Sequence, residues 1–139
     1  HIKGTPRDMQ QNPVYNDVIG EITEYLAEGI ELALKGGVRR DRIMIDPGIG
    51  FGKTLEHNLS ILERLDEFRC LGCPIVLGTS RKRFIGTVLD LSEPQDRVFG
   101  TAATVSLGIT RGARLLRVHD VQAMTQVARM TDAILGSKL

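Results

Sequence analysis

The chain has 139 residues, of which 42% are hydrophobic and 25% are charged, a composition typical of a small globular domain with a single core. Its net charge of +1 and its lack of tryptophan provide neither a broad basic field nor an aromatic stacking surface for nucleic acid. No apolar run of about 18 residues predicts a membrane span, and no signal-peptide pattern opens the chain. We therefore expect a cytoplasmic protein with no nucleic-acid or membrane partner.

Two further features of the sequence concern its cysteines and its start. Cys70 and Cys73 are the only cysteines, and without a second pair they predict no zinc site, so we expect both to be buried and free. The chain begins at His1 without a methionine, and we expect the native N-terminus to lie upstream.

Amphipathic helical patterns alternate with short apolar segments along the chain. Positions spaced three and four residues apart predict a first helix over 18–32, which stops at the glycine pair 36–37. An apolar segment at 43–45 predicts a buried strand, and leucines at helical spacing over 55–65 predict a second helix that closes near Gly72. The remaining predicted elements are a strand at 74–78, a helix over 96–110, a strand at 115–118 and a helix over 121–135.

Apolar strands that alternate with amphipathic helices predict a parallel sheet covered by helices, and hence an α/β fold. With a further strand at or before His1, this order fits either an open doubly wound sheet or part of a (βα)8 TIM-type barrel. Polar side chains end every predicted strand. They are Asp46 after the first strand, Ser80, Arg81 and Lys82 after the second, and Arg117, His119 and Asp120 on and after the third. This pattern favours the barrel, because an open sheet concentrates its ligands at one switch point.

The segment DPGIGFGKT at 46–54 allows three interpretations. A P-loop would require glycine where Pro47 stands, and a dinucleotide fingerprint would require a spacing that these alternating glycines do not have. Asp46 would also repel phosphate. A carboxylate at a strand end instead accepts two parallel hydrogen bonds from an amidine-like edge, and glycines let a flat ligand approach the backbone. A tight strand-to-helix turn without a ligand remains the alternative.

Cations accompany the other strand ends. Three consecutive cations at 81–83 follow the second strand, although a run of this kind is commonly only a solvated turn. Arg117 and His119 alternate and therefore share one face of the third strand, where burial would require an anionic partner. Together with Asp46, these cations predict a ligand with a hydrogen-bond-donating heterocycle at one end and an anion at the other.

Several segments together form a recognisable series. They are HIKGTPRDMQ at 1–10, DPGIGFGK at 46–53, HN at 57–58, GTSRK at 78–82 and RVHDV at 117–121. In order and spacing they resemble the dihydropteroate synthase family of folate biosynthesis, with the first segment similar to an M-H-x-x-G-x-P-x-x-M motif that lacks its first methionine. The resemblance implies a (βα)8 barrel. Residues 1–139 are then a single partial domain that covers the second half, with four βα units and a truncated first strand.

The resemblance also implies a reaction, in which 6-hydroxymethyl-7,8-dihydropterin diphosphate and p-aminobenzoate condense to 7,8-dihydropteroate and pyrophosphate. It implies Mg2+ as a cofactor, these small molecules as partners, and a homodimer of the complete protein formed through the last two helices. The implied catalytic residues are Lys82, Arg117 and His119, with His119 near Mg2+ and no certain metal ligand in this chain. The implied substrate-binding residues are Asp46, Gly50, Phe51, Gly78, Ser80, Lys82, Arg83, Arg117 and His119.

Each end of the ligand has its own residues under this resemblance. Asp46 would bind the amino-pyrimidine edge of the pterin, and Lys82 would contact the ring acceptors. Arg117 and His119 would lie around the diphosphate and its Mg2+.

The resemblance implies a slot for p-aminobenzoate at Gly50 and Phe51, beside Ser80. Many relatives carry serine where this chain has Arg83, so whether Arg83 binds the aminobenzoate carboxylate stays open.

Two other functions remain open at this point. One is a pterin-binding methyltransferase that moves a methyl group from methyltetrahydrofolate to a corrinoid, and the other is a half-barrel remnant without catalysis. Because four βα units leave two open sheet edges, we expect this chain alone to be inactive.

Overall fold

The structure, a computed structural model, describes residues 1–5, 7, 9 and 13–136. In this part of the chain the α-helices are α1 (Val18–Lys35), α2 (Leu55–Glu63), α3 (Arg83–Leu89), α4 (Val98–Thr110) and α5 (Val121–Ile134). The strands are β1 (Ile75–Leu77) and β2 (Ala113–Leu116), and 3₁₀ turns cover Arg40–Arg42, Leu65–Leu71 and Pro94–Arg97. Within the same residues, no helix has both the length and the apolar character needed to cross a membrane.

The two strands pair in parallel, which confirms the α/β class. Val76 pairs with Leu115, and the register shifts by one residue between Ile75 and Val76. The strand predicted at 43–45 is wrong in extent, since only Ile45 forms a bridge, to Ile75. A 3₁₀ turn that ends at Arg42 precedes this segment, and Pro47 follows it closely. Pro47 has no N–H with which to extend the ladder.

No strand forms among residues 1–5, although the backbone nitrogen of His1 donates to the Asp46 carbonyl at 2.7 Å. The start of the chain therefore lies against the same strand end that carries Asp46.

The longer helices agree with their predicted positions. Asp17 caps α1 by accepting a hydrogen bond from the backbone N–H of Ile19. The predicted second helix divides into α2 and a 3₁₀ turn that closes at Gly72, whose φ of 66° is left-handed. The helix predicted from residue 96 begins at Val98, after a 3₁₀ turn, and α3 was not predicted at all.

The core lies between α1, α2, the 3₁₀ turn after α2 and the helix-facing side of the sheet. Its fully buried side chains include Ile22, Ile61, Leu65, Phe68, Ile75 and Leu77. Burying side chains of this size stabilises a fold by about 1.5–3 kcal/mol each. The cysteine prediction is correct for Cys73, which is buried, and wrong for Cys70, which is exposed; both are free.

The opposite face of the sheet is apolar but poorly covered. Val76 points away from the buried Ile75 and Leu77, because side chains alternate along a strand. Its partner Leu115 is 40% exposed, and Met44, which precedes the bridge residue, is 54% exposed. Among the residues that the structure describes, helices therefore cover the sheet on one side only.

Candidate functional site

Asp46 begins a loop that is built on left-handed glycines. Its side chain is exposed, and Oδ1 accepts a hydrogen bond from the backbone N–H of Gly48 at 2.8 Å. Gly48, Gly50 and Gly52 have φ angles of 74°, 81° and 63°. A Cβ added to Gly48 would lie 1.8 Å from the carbonyl oxygen of His1.

The space beside these glycines is only partly available to a ligand, which corrects the expectation that they make room for one. At Gly48 and Gly52 the neighbouring atoms are backbone oxygens of the chain start, with the Lys3 oxygen 2.2 Å from a Cβ added to Gly52. At Gly50 the nearest atom is Cδ of Lys82, 3.3 Å from such a Cβ. Positions 6, 8 and 10 of the motif at the chain start lie outside the described residues.

Lys53 is a buried cation within the loop. It is only 4% exposed, and its Nζ donates to the carbonyl oxygens of Gly48 at 2.8 Å and Phe51 at 3.0 Å. Its Nζ also lies 2.9 Å from Nδ1 of His1. Burial lowers the pKa of Lys53 to about 7; repulsion by Lys82 adds to this lowering and attraction by Asp46 opposes it.

Lys82 bridges the loop and the strand ends. Its Nζ donates to the carbonyl oxygen of Ile49 and lies 4.4 Å from the centre of the Phe51 ring. Burial lowers the pKa of Lys82 to about 8; Asp46 opposes this lowering and Arg117 adds to it. Lys82 is therefore close enough to interact electrostatically with both the carboxylate of the first strand end and the guanidinium of the third.

Arg117 and His119 lie beyond β2, which ends at Leu116, so the prediction that they share a strand face is wrong. Both are exposed in this chain. The backbone N–H of Arg117 donates to the Leu77 carbonyl at 2.9 Å and keeps this segment against β1. The Arg117 side chain also passes Gly78, where an added Cβ would lie 3.8 Å from Cβ of Arg117.

Ser80 and His119 join the second and third strand ends. The backbone N–H of His119 donates to Ser80 Oγ at 3.1 Å, and Nδ1 of its ring lies 2.9 Å from the same oxygen. Arg81 pairs with Asp120 across the same two loops, with Nε donating to Oδ2 at 3.0 Å. Arg81, which has a φ of 58°, is therefore engaged within the chain.

A cleft of about 420 Å³ opens beside the glycine loop. Gly50, Phe51, Lys82 and Arg83 line it, whereas Ser80, which was expected beside the aminobenzoate slot, does not. The larger cavity of about 660 Å³ lies at the other end of the strands, next to Ala113, and contains none of the predicted site residues.

Two residues that hold this cleft were not assigned a role from the sequence. Asn58 is buried and its Oδ1 accepts the Gly50 backbone N–H at 2.6 Å, which fixes the loop to α2. Lys53 was set aside together with the P-loop. No sequence signal marks it, because its burial depends on the distant start of the chain, where Nδ1 of His1 lies beside its Nζ.

Across the described ranges, no group of three or more His, Cys, Asp or Glu side chains comes together as metal ligands. The exposed His119 has Nδ1 engaged by Ser80.

The family model described as "Pterin binding enzyme" matches residues 1–119 of the chain. Dihydropteroate synthase from Synechocystis sp. is 46% identical over 134 residues, which cover 96% of this chain and 46% of that protein. Dihydropteroate synthase from Bacillus subtilis is 48% identical over 122 residues, which cover 88% of this chain and 42% of that protein. The chain thus spans about half the length of the curated relatives it matches.

Solved structures agree with the sequence match. Yersinia pestis dihydropteroate synthase with a sulfonamide drug complex has a TM-score of 0.95 and 34% identity, over 99% of this chain and 50% of that chain. Thermus thermophilus dihydropteroate synthase in complex with 4-aminobenzoate has a TM-score of 0.89 and 42% identity, over 95% of this chain and 53% of that chain. On the family match and these shared folds, the chain belongs to the pterin-binding enzyme family.

Proposed function

We propose that residues 1–139 are a single partial domain, the second half of a (βα)8 barrel in a dihydropteroate synthase. The chain's length relative to the enzymes it matches supports this, since it spans 46% of the Synechocystis enzyme. The apolar sheet face at Met44, Val76 and Leu115 also supports it. In a barrel this face points to the interior, where side chains from the other strands cover it.

The observation that carries the proposal is the convergence of Asp46, Lys82 and Arg117, which come from three separate strand ends. Asp46 and Arg117 both act on the ammonium of Lys82. One carboxylate beside several cations is complementary to a ligand whose heterocycle donates hydrogen bonds and whose other end is an anion. Pterin diphosphate has these two ends, and the Thermus thermophilus enzyme solved in complex with 6HMPPP resembles this chain with a TM-score of 0.92 and 41% identity.

The proposed reaction needs one bond to break and one to form. The C–O bond between the pterin methylene and the diphosphate breaks, and pyrophosphate leaves with the electron pair. The amine nitrogen of p-aminobenzoate then bonds to the methylene carbon and loses a proton. Arg117 and His119 stabilise the charge that grows on the leaving group, while Asp46 and Lys82 hold the pterin ring. Holding both substrates in this geometry supplies much of the remaining rate enhancement.

The aminobenzoate end of the proposal rests on the cleft at Gly50, Phe51 and Arg83. Phe51 is 40% exposed and offers an apolar wall for a benzene ring. Arg83 lies on the rim, and its guanidinium suits a carboxylate. We assign Arg83 to the carboxylate of p-aminobenzoate on this basis.

Mg2+, a homodimer and a cytoplasmic location complete the proposal as expectations of the whole enzyme. Mg2+ binds phosphate oxygens readily, and the diphosphate would supply such ligands. No step above is assigned to the metal. A dimer through α4 and α5 is supported by exposed apolar side chains there, with Phe99 at 84%, Met130 at 62% and Ile134 at 72% exposure.

The test is turnover by the complete protein, with pteroate and pyrophosphate measured together. Arg117→Ala should lower kcat by about 100- to 1,000-fold, the cost of losing one donor to a developing oxyanion. Arg39→Ala, which removes an exposed arginine paired with Asp41, is the matched control and should keep full activity. A methyltransferase of the corrinoid type would release no pyrophosphate and would not need Arg117. Absence of pteroate formation by the wild-type protein, or an unaffected Arg117→Ala variant, would overturn the proposal.

A further inference from the structure

We propose that Ser80 is a positioning residue that holds the imidazole of His119 with its proton on Nε2. Nε2–H is then the donor that the ring offers to the anionic end of the ligand. This inference rests on the proposed function for the identity of that anion, but the state of the ring can be measured without turnover.

The geometry of one oxygen atom carries the argument. A serine hydroxyl has one proton to donate and two lone pairs that accept. The backbone N–H of His119 can only donate, so Ser80 Oγ is the acceptor in that contact at 3.1 Å. The second contact of the same oxygen, at 2.9 Å, is to Nδ1 of the His119 ring.

Burial of Ser80 decides the direction of the second hydrogen bond. The residue is 6% exposed, so its hydroxyl proton has little access to water. Throughout the part of the chain that the structure describes, His119 Nδ1 is the only atom hydrogen-bonded to Ser80 Oγ that can accept the hydroxyl proton. If Nδ1 carried a proton instead, Oγ would accept twice and its own buried proton would have no partner. The hydroxyl therefore donates to Nδ1, and the neutral ring carries its proton on Nε2.

Other contacts between the same loops distinguish the proposed role of Ser80 from simply holding the loops together. The loops after β1 and β2 are also joined by the ion pair of Arg81 and Asp120. The N–H of Arg81 donates to Thr101 Oγ1 at 3.1 Å, which ties the first of these loops to α4. The Arg81–Asp120 pair can therefore hold the loops together when the Ser80 hydroxyl is removed. The main effect of that removal should then be on which nitrogen of the His119 ring carries the proton.

The first measurement is the tautomer of His119 in the complete protein, by long-range ¹H–¹⁵N correlation of ¹⁵N-labelled histidine. His119→Ala assigns the signal by its loss. We expect a pyrrole-type Nε2 and a pyridine-type Nδ1 in the wild-type protein, and a mixture of tautomers in Ser80→Ala. Ser80→Thr, which keeps the hydroxyl, should restore the wild-type pattern. A wild-type ring with its proton on Nδ1 would overturn the inference even if the enzyme makes pteroate.

The second measurement is kinetic and separates positioning from direct substrate binding. Ser80→Ala should lower kcat by about 10- to 100-fold, the usual effect of losing a group that orients a reactive side chain, with the KM for p-aminobenzoate unchanged. In a His119→Ala background the same substitution should have no further effect. An equal effect of Ser80→Ala in both backgrounds would show that Ser80 acts on the substrate directly, as the sequence analysis expected. Asp120→Asn is the control for loop placement, and it should leave the tautomer unchanged.

Discussion

Replacing Lys53 with methionine tests whether burial governs the charge of this lysine. The pKa of Lys53 is lowered from 10.5 to about 7, which corresponds to a cost of about 5 kcal/mol for the charged form in the folded state. Below pH about 7 the lysine is charged in both states, and the folded protein bears this cost in full. Between pH about 7 and 10.5 the unfolded chain binds more protons, so the free energy of unfolding rises with pH. Methionine has no such dependence.

The assay is urea unfolding of the complete wild-type and Lys53→Met proteins at pH about 6.5 and about 9. Linkage predicts that the stability advantage of Lys53→Met over the wild type is about 2.5 kcal/mol smaller at the higher pH. Loss of the hydrogen bonds to the Gly48 and Phe51 carbonyls affects both pH values alike and cancels in this comparison. Lys35→Met, which removes an exposed lysine at the end of α1, is the control. A stability difference that stays constant within about 0.5 kcal/mol would refute the reasoning, because hydrogen bonds would then outweigh burial.

Two further predictions concern backbone geometry and completeness. Gly48→Ala should lower the free energy of unfolding by at least about 2 kcal/mol more than Gly37→Ala. Both glycines have positive φ, 74° and 86°, but only at Gly48 does an added Cβ meet backbone, at His1; equal losses in urea unfolding would contradict the close approach. The isolated chain of 139 residues should form no pteroate in a coupled assay of both substrates, and robust turnover would contradict the half-barrel proposal.

Apolar residues at helical spacing made α1, α2 and α5 predictable, although a buried stripe at intervals of three and four residues is present only in α1, at Ile19, Ile22, Leu26 and Ile30, among these three helices. By contrast, α3 has only seven residues and no side-chain cap at its start, so neither periodicity nor a capping signal marks it. The apolar segment 43–45 has a strand-like composition. Its pairing depends on how many N–H and carbonyl groups its neighbour presents, and sequence alone does not contain that information.

The site could be predicted to the extent that it depends on strand direction. Parallel strands bring their C-terminal ends to one edge, so the convergence of Asp46, Lys82 and Arg117 follows from the topology. The burial of Lys53 and the ring contact of Ser80 could not be predicted, because both depend on which distant segment packs against a loop. Arg81 was grouped with the other cations, and only the structure reveals its partner Asp120.

The pairing of Arg81 with Asp120 has a consequence for the net charge of the site when no ligand is bound. With Arg81 neutralised internally, Lys82 and Arg117 oppose the carboxylate of Asp46, and Lys53 is only partly charged near pH 7, which still leaves a surplus of positive charge among the described residues of the site. Such a surplus attracts counter-ions from the medium whenever substrate is absent. Under the proposed function we therefore expect inorganic phosphate and free pyrophosphate to compete with pterin diphosphate. Its apparent KM should then depend on the choice of buffer anion, and the competition should weaken as ionic strength rises.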